Sequence, residues 1–325
     1  MRGVPPNATC AMRDVFAAVA GWQMERMPIA VATLVGLRDA APAPLGASMA
    51  VTIDGTVAGD IGAGCYEGEI VEAAMKTARD GTARLLTIDL TSDDPVSGGS
   101  GCGGYLEVVT WQPPADFEPV ATAIAGARGA VTFPIVYERD GRVHQFVLDV
   151  PARRDLIVVG ATALAQELAA IAARADFRTI VVDPRPTFAT SDRLGAAADI
   201  VVAWPDDALP AMLNATTPLV VISHDPKIDI PALRAGLTSA APYVGLLGSR
   251  RAQSVRRAML RADGFGEAAL ARIHGPAGLD LGGVTMAETA VSIVAEIIAV
   301  LRERSGDPLL LRHDAIHNAA TGALR

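Results

Sequence analysis

Two glycine-rich segments in the first third of the chain each carry one cysteine, Gly62-Ala63-Gly64-Cys65-Tyr66-Glu67-Gly68 and Gly98-Gly99-Ser100-Gly101-Cys102-Gly103-Gly104. Glycine loses the most backbone freedom on folding, so its clustering around a thiol makes sense where main chain must come close to a ligand. A thiolate is both nucleophile and metal ligand, and soft sulfur suits soft metals and sulfur chemistry. A helix starting just after Cys65 favours the thiolate there, while Glu67 and Glu69 oppose that effect. A free cysteine between glycines can also simply fill a small gap. The recurrence of the arrangement at Cys102 argues against two independent gap-fillers, and neither segment is a C-x-x-C redox site.

A second group of residues lies further along. Val158-Val159-Gly160-Ala161-Thr162-Ala163-Leu164-Ala165 reads as strand, turn and helix close to the dinucleotide fingerprint G-x-G-x-x-A, with Thr162 in place of the second glycine. Asp183, at the end of the next expected strand, stands where an acid takes a ribose hydroxyl, or else it only caps a loop. Ser223-His224-Asp225 ends another strand. Gly248-Ser249-Arg250-Arg251 ends a further one and opens a helix, placing a hydroxyl and two guanidinium groups where an anion would be held. Gly160, Thr162, Asp183, His224, Gly248, Ser249 and Arg250 therefore share the carboxyl ends of expected parallel strands, the usual ligand crevice of such sheets.

The elements that position these residues follow from periodicity. Val15, Phe16, Val19 and Trp22 recur at helical spacing, and strands are expected at Ile29 to Val35, Ala47 to Ile53 and Thr56 to Ile61. A helix carrying Ile70, Val71, Ala74, Met75 and Ala78 stops at Asp80-Gly81. Strands Arg84 to Leu90 and Tyr105 to Trp111 flank the second cysteine segment. A helix near Val120 to Ala127 and a hairpin turned at Asp140-Gly141 complete this part. From Arg154 onward strand and helix alternate: Leu156 to Val159, a helix from Ala163, Thr179 to Val182, Ile200 to Ala203, Leu219 to Ser223, Tyr243 to Leu247, and a long helix from Met286 with a Thr285/Glu288 capping box. The expected fold is α/β: an N-terminal α+β domain with glycine-rich cysteine loops over 12–150, a Rossmann-like doubly wound parallel sheet over 151–309, and an extension over 310–325.

The 28 basic and 36 acidic side chains give a net charge of −8, which argues against nucleic acid as partner. Cys10, Cys65 and Cys102 are too few and scattered for a disulfide framework or a four-ligand zinc site. The N-terminus lacks the pattern of a signal peptide and no stretch reads as a membrane span, so the cytoplasm is the expected compartment. Met12 could serve as the start, which would leave Cys10 without a role.

At these residues the chain resembles the xanthine dehydrogenase accessory factors of the XdhC/CoxF type. The resemblance is carried by Pro44-Leu45-Gly46-Ala47-Ser48-Met49, the loop from Gly62 through Cys65 to Glu67, and Gly101-Cys102-Gly103-Gly104. In the second half it is carried by Ser223-His224-Asp225-Pro226-Lys227, the run from Tyr243 to Arg251 and the run from Ile273 to Gly282. It implies a non-catalytic chaperone that binds molybdenum cofactor, as molybdopterin or its cytosine dinucleotide form. Such a protein supports sulfuration with a cysteine desulfurase and inserts the cofactor into a molybdenum hydroxylase of the xanthine or carbon monoxide dehydrogenase type, as a possible homodimer. The resemblance places Gly62, Gly64, Cys65, Glu67, Gly101, Cys102 and Gly103 at the cofactor, with Cys65 approaching molybdenum through it. The chain departs from the family at Ala43, where an arginine is usual, at Ala63-Gly64-Cys65 in place of Gly-Gly-Cys, and at Thr162. Two other readings remain: an NAD(P)-dependent oxidoreductase with His224 as proton donor and Asp183 as ribose anchor, and a scaffold that senses a nucleotide through its Rossmann-like domain.

Overall fold

The computed structural model describes residues 9–39, 43–62, 66–89, 104–126, 129–195 and 198–311. The chain divides into two units, the first running to Arg153 and the second beginning at Arg154.

The first unit contains α1 (Thr9–Met24), β1 (Ile29–Asp39), β2 (Ser48–Thr52), β3 (Val57–Gly59), α2 (Glu67–Asp80), β4 (Arg84–Asp89), β5 (Gly104–Trp111), α3 (Glu118–Gly126), β6 (Val131–Arg139) and β7 (Arg142–Val150). Strands β1 to β5 form one antiparallel sheet in the order β3-β2-β1-β5-β4. Side chains of a strand alternate between faces, so each face of this sheet can carry its own core. Ile29 and Val31 face Val15, Phe16 and Val19 of α1, with Ile124 of α3 and Ile135 and Leu148 of the hairpin in the same cluster. Ala30, Ala32 and Leu34 face Ile70, Ala74 and Ala78 of α2. Arg13, buried on α1, donates to Ile124 O at 2.9 Å and Pro151 O at 2.6 Å, tying the helix to the ends of α3 and the hairpin. The hairpin turns at Asp140 (φ 51°) and Gly141 (φ 70°), the paired positive φ angles that a two-residue turn needs.

The second unit contains β8 (Arg154–Val159), α4 (Ala163–Arg174), β9 (Phe177–Val182), α5 (Ser191–Leu194), β10 (Ala198–Val201), α6 (Pro205–Ala208), β11 (Leu219–Val221), α7 (Pro226–Thr238), β12 (Val244–Leu246), α8 (Arg250–Ala262), α9 (Glu267–Leu270), β13 (Ile273–His274) and α10 (Met286–Leu301). All six strands are parallel, in the order β10-β9-β8-β11-β12-β13. Counted within the unit this is 3-2-1-4-5-6, the doubly wound order whose switch point falls between its first and fourth strands. Both faces are apolar, as parallel sheets require. Leu156, Val158, Val181 and Val220 pack with Leu164 and Leu168 of α4 and Ile293 and Ile297 of α10. Ile157, Val159, Val182 and Val221 pack with Ile228 and Leu233 of α7 and Leu260 of α8. Among the described residues no helix is long and apolar enough to cross a membrane.

This is the α/β class expected, with an α+β first unit and a Rossmann-like second. Several strands end differently from the periodicity reading. The strand expected over Thr56 to Ile61 stops at Gly59 because Asp60 turns the chain, accepting from Gly62 N at 2.8 Å. The first strand runs on past Val35 to Asp39 through an irregularity between Leu34 and Gly36. The strand expected to reach Ser223 stops at Val221, because Ser223 and Asp225 are drawn into the turn that starts α7.

Candidate functional site

Cys65, Gly64, Gly101, Cys102 and Gly103 lie outside the described residues, but the residues that flank them are described. Tyr66, directly after Cys65, precedes the first turn of α2, and its hydroxyl donates to Asp89 O at 3.0 Å. Asp89 is the last residue of β4 and the point from which the segment holding Cys102 departs. That segment returns at Gly104, which pairs with Asp39, while Tyr105 pairs with Asp89. Both cysteine segments are therefore anchored at one end of the five-stranded sheet. Glu67 and Glu69 occupy the first turn of α2, where a carboxylate is favoured by the helix dipole.

In the second unit the structure gives Gly160 a specific reason. Its φ is 117°, and a Cβ placed there would lie 2.7 Å from the Cα and N of Ser223. The glycine lets the turn after β8 touch main chain at the end of β11. Thr162 precedes α4 without capping it, and its Oγ1 is buried with no hydrogen-bond partner among the described residues.

Asp183 differs from the ribose-anchor expectation. It is fully buried. Its Oδ1 accepts from the Arg185 N–H and Nε, both at 2.9 Å, and its Oδ2 accepts from the Ala161 N–H and an Arg185 terminal nitrogen, both at 2.7 Å. A carboxylate offers about four lone-pair sites, so these donors leave none for a ribose diol. Burial pushes the Asp183 carboxyl up, but the hydrogen bonds from Arg185 and Ala161 more than offset this and hold it below the usual carboxylate range.

His224 is also reassigned. It is exposed, adopts φ 64°, and no hydrogen bond reaches its imidazole among the described residues, so nothing orients it as a proton donor. Its carbonyl accepts from Arg256 at 2.9 Å. Arg256 in turn pairs at 3.0 Å with Asp229, which is buried and accepts from Ser223 Oγ at 2.6 Å. Asp225 caps α7 by accepting from Lys227 N at 2.9 Å. The Ser223-His224-Asp225 segment is thus a loop clamped to two helices.

Gly248 leads into α8, which Ser249 caps by accepting from Ala252 N at 3.3 Å. Arg250 and Arg251 follow, exposed and with no carboxylate paired to them among the described residues. Cations at the positive end of a helix reinforce its field instead of offsetting it, so an anion is favoured there. Because β8, β11 and β12 are neighbours in the sheet, Gly160, Thr162, His224, Gly248, Ser249 and Arg250 gather along one sheet end.

Sequence reasoning missed a cluster around Glu296. Its carboxylate accepts from Tyr243 Oη at 2.5 Å and Gly278 N at 2.7 Å, and lies 3.0 Å from His274 Nδ1. The His274 and Tyr243 rings lie against each other, with centroids 4.5 Å apart and planes tilted by 32°. Burial raises the Glu296 carboxyl, while hydrogen bonds from His274, Tyr243 and Gly278 N–H lower it further, leaving it below its ordinary value. A depressed carboxyl contributes stability above its unfolded pKa and loses it as pH falls toward the folded one. Glu296→Gln should therefore destabilise the chain at pH 7, by about 1–3 kcal/mol, and the gap from wild type should narrow below about pH 4. Urea melts across a pH series measure this; a gap that is constant with pH would contradict it.

These features define a two-unit α/β protein whose Rossmann-type unit has a remodelled dinucleotide turn. The family model described as the XdhC Rossmann domain matches residues 156–297, and the one described as the XdhC and CoxI family matches residues 22–89. Each unit thus matches a family model of the XdhC type, and in this the chain resembles the xanthine dehydrogenase accessory factors. It is 25% identical over 305 residues to the uncharacterized protein YqeB of Escherichia coli K12; the match takes in 90% of this chain and 47% of YqeB, so the chain spans about half the length of that relative. It is 26% identical over 310 residues to a probable xanthine dehydrogenase subunit of Bacillus subtilis 168, covering 82% of this chain and 92% of the relative. It is 23% identical over 294 residues to the molybdenum cofactor insertion chaperone PaoD of E. coli K12, covering 86% and 85% of the two chains. A crystal structure described as a xanthine dehydrogenase from Bacillus halodurans shares the fold with a TM-score of 0.72 at 22% identity, over 92% of this chain and 98% of that one.

Proposed function

We propose that this protein is a maturation factor that binds molybdenum cofactor and delivers it to a molybdenum hydroxylase of the xanthine or carbon monoxide dehydrogenase type. Support comes from the matches to these family models and from the relative named as a molybdenum cofactor insertion chaperone. The single observation that carries the reading is the anchoring of both cysteine-bearing segments at one end of the first unit's sheet, through Tyr66, Asp89 and Gly104. In this reading Cys65 and Cys102 approach the metal and sulfur end of the cofactor, with Gly62, Gly64, Gly101 and Gly103 supplying close main chain and Glu67 fixing the helix start. Arg250 and Arg251 at the start of α8, which pair with no carboxylate among the described residues, fit a phosphate-bearing group, held in the second unit's crevice with Gly160, Thr162, Gly248 and Ser249. Bound cofactor supplies the molybdenum and dithiolene chemistry; the chain's own residues grip, shield and release. Sulfuration with a cysteine desulfurase as sulfur donor, the cytosine dinucleotide form as cargo, a homodimer and a cytoplasmic setting belong to the same proposal. The oxidoreductase reading is not favoured, since Asp183 is saturated by internal donors and His224 is unoriented.

The test is to express the target hydroxylase with and without this chain and to measure its molybdenum, sulfido ligand and turnover. All three should rise with the chain present and fall back with Cys65→Ala, whose own stability should stay within about 1 kcal/mol of wild type. Equal hydroxylase in both preparations, or robust NAD(P)H oxidation by the chain alone, would sink the proposal. For the crevice, Arg250→Ala should weaken binding of a phosphate-bearing ligand by about 1.5–3 kcal/mol, the loss expected for a charge-assisted contact. Affinity unchanged across a salt series would make Arg250 a solvated side chain.

A further inference from the structure

The β6–β7 hairpin pairs with no other strand among the described residues. Phe133, Ile135 and Leu148 on its inner face pack into the core of the first unit, and β6 runs beside β4 and β5, which leaves β7 as the outer strand. Arg139 and Arg142 are opposed across the two-residue turn, and in such a hairpin that pair exchanges main-chain hydrogen bonds, as does every second pair beyond it. The N–H and C=O groups of Val143, Gln145, Val147 and Asp149 therefore point away from β6. No main-chain group meets them among the described residues.

Other strand edges are blocked or short. Pro134 stands on the outer edge of β6 with no N–H to offer, and β3, β10 and β13 have only three, four and two residues. β7 has nine residues and no proline, and it carries a carboxylate or guanidinium only near its ends, at Asp149 and Arg142. Its outward-pointing residues also present apolar side chains to water: Val143 is 78% and Val147 37% exposed, beside Val136 of β6 at 52%. A long, apolar strand edge of this kind is a template for a further strand.

The occupant that fits this edge is a second copy of β7. Antiparallel pairing about a two-fold axis at Gln145 sets Val143 opposite the partner's Val147 and Gln145 opposite the partner's Gln145, while Asp149 falls opposite the turn at the partner's Gly141. Apolar meets apolar, and no like charges are opposed. A strongly charged strand from another protein would find nothing to match along the middle of the edge. We propose that two chains join by pairing their β7 strands in this register, which makes the two hairpins one continuous sheet with Val136, Val143 and Val147 of both copies in an apolar band on its outer face. This assigns a surface to the homodimer of the reading above. Cofactor delivery is assayed separately, so a monomeric chain would overturn the inference and leave delivery standing.

The test is sedimentation of the full chain over a concentration series. Wild type should be a dimer at about 50 μM and dissociate on dilution, since an interface built on one strand pair is small. Gln145→Pro removes an N–H that points away from β6 and spares the hairpin's own bonds, so it should give a monomer with unchanged circular dichroism. If that variant does not fold, Val143→Glu and Val147→Lys decide, since both positions are exposed. Each should weaken self-association about tenfold, and an equimolar mixture should recover most of the loss, because the two-fold pairing sets the two substituted positions opposite each other. A chain that is monomeric at every concentration, a dimer indifferent to all three substitutions, or a mixture that associates no more tightly than its components would overturn the proposal.

Discussion

Asp229→Ala should destabilise the protein by about 3–5 kcal/mol, the loss typical of breaking a buried ion pair from one side. Asp229 is 1% exposed and accepts from Ser223 Oγ and from two nitrogens of Arg256. Removing it leaves the Arg256 guanidinium largely buried opposite no charge and frees the Ser223 hydroxyl. It also loosens Arg256 from the His224 carbonyl, so the clamp holding His224 at φ 64° weakens. Asp229→Asn keeps the shape and one acceptor, and should cost less. Urea denaturation of the three proteins checks the order; an alanine variant within 1 kcal/mol of wild type would show that Arg256 finds another partner or water, contrary to this account.

Gly160→Ala should be comparably severe, about 3–5 kcal/mol, from a strained positive φ and an overpacked contact acting together. The added methyl meets the main chain of Ser223 at 2.7 Å, and backbone cannot step aside as a flexible side chain can. This separates two meanings of the same glycine. If Gly160 served only to let a phosphate approach, the alanine variant would melt like wild type and lose ligand affinity alone. If it serves the contact between the ends of β8 and β11, stability falls with no ligand present. Thermal and urea melts of ligand-free protein distinguish them.

The fold was largely readable because its signals are local. The continuous apolar runs of β8 and β9, the Thr285/Glu288 capping box and the Asp140-Gly141 turn each act within a few residues, and each is found where expected. The site was less readable because its decisive contacts join residues distant in sequence. Asp183 reads as a ribose acid until Arg185 is seen folding back on it, although the closeness of an arginine two residues on was a signal available in the sequence. Nothing local marks Asp229 as the partner of Arg256, or Glu296 as the acceptor that joins Tyr243, His274 and Gly278. Arg13 looks like an ordinary helix-surface cation and is instead buried against two carbonyls, because α3 and the hairpin close over α1.

The strand order of the second unit has a consequence for synthesis. β8, β9 and β10 are made first and can pair as they emerge, but one edge of β8 waits for Leu219–Val221 of β11. At about 5–20 residues per second, the roughly 60 intervening residues keep that edge open for about 3–12 seconds on a translating ribosome. During this interval the apolar rows of Ile157 and Val159 lack α7, and those of Leu156 and Val158 lack α10, which is made last of all. A nascent chain in that state exposes an unpaired apolar strand, the usual starting point for aggregation. Slower decoding before β11 should therefore lower soluble yield, and slower decoding after α10 should not.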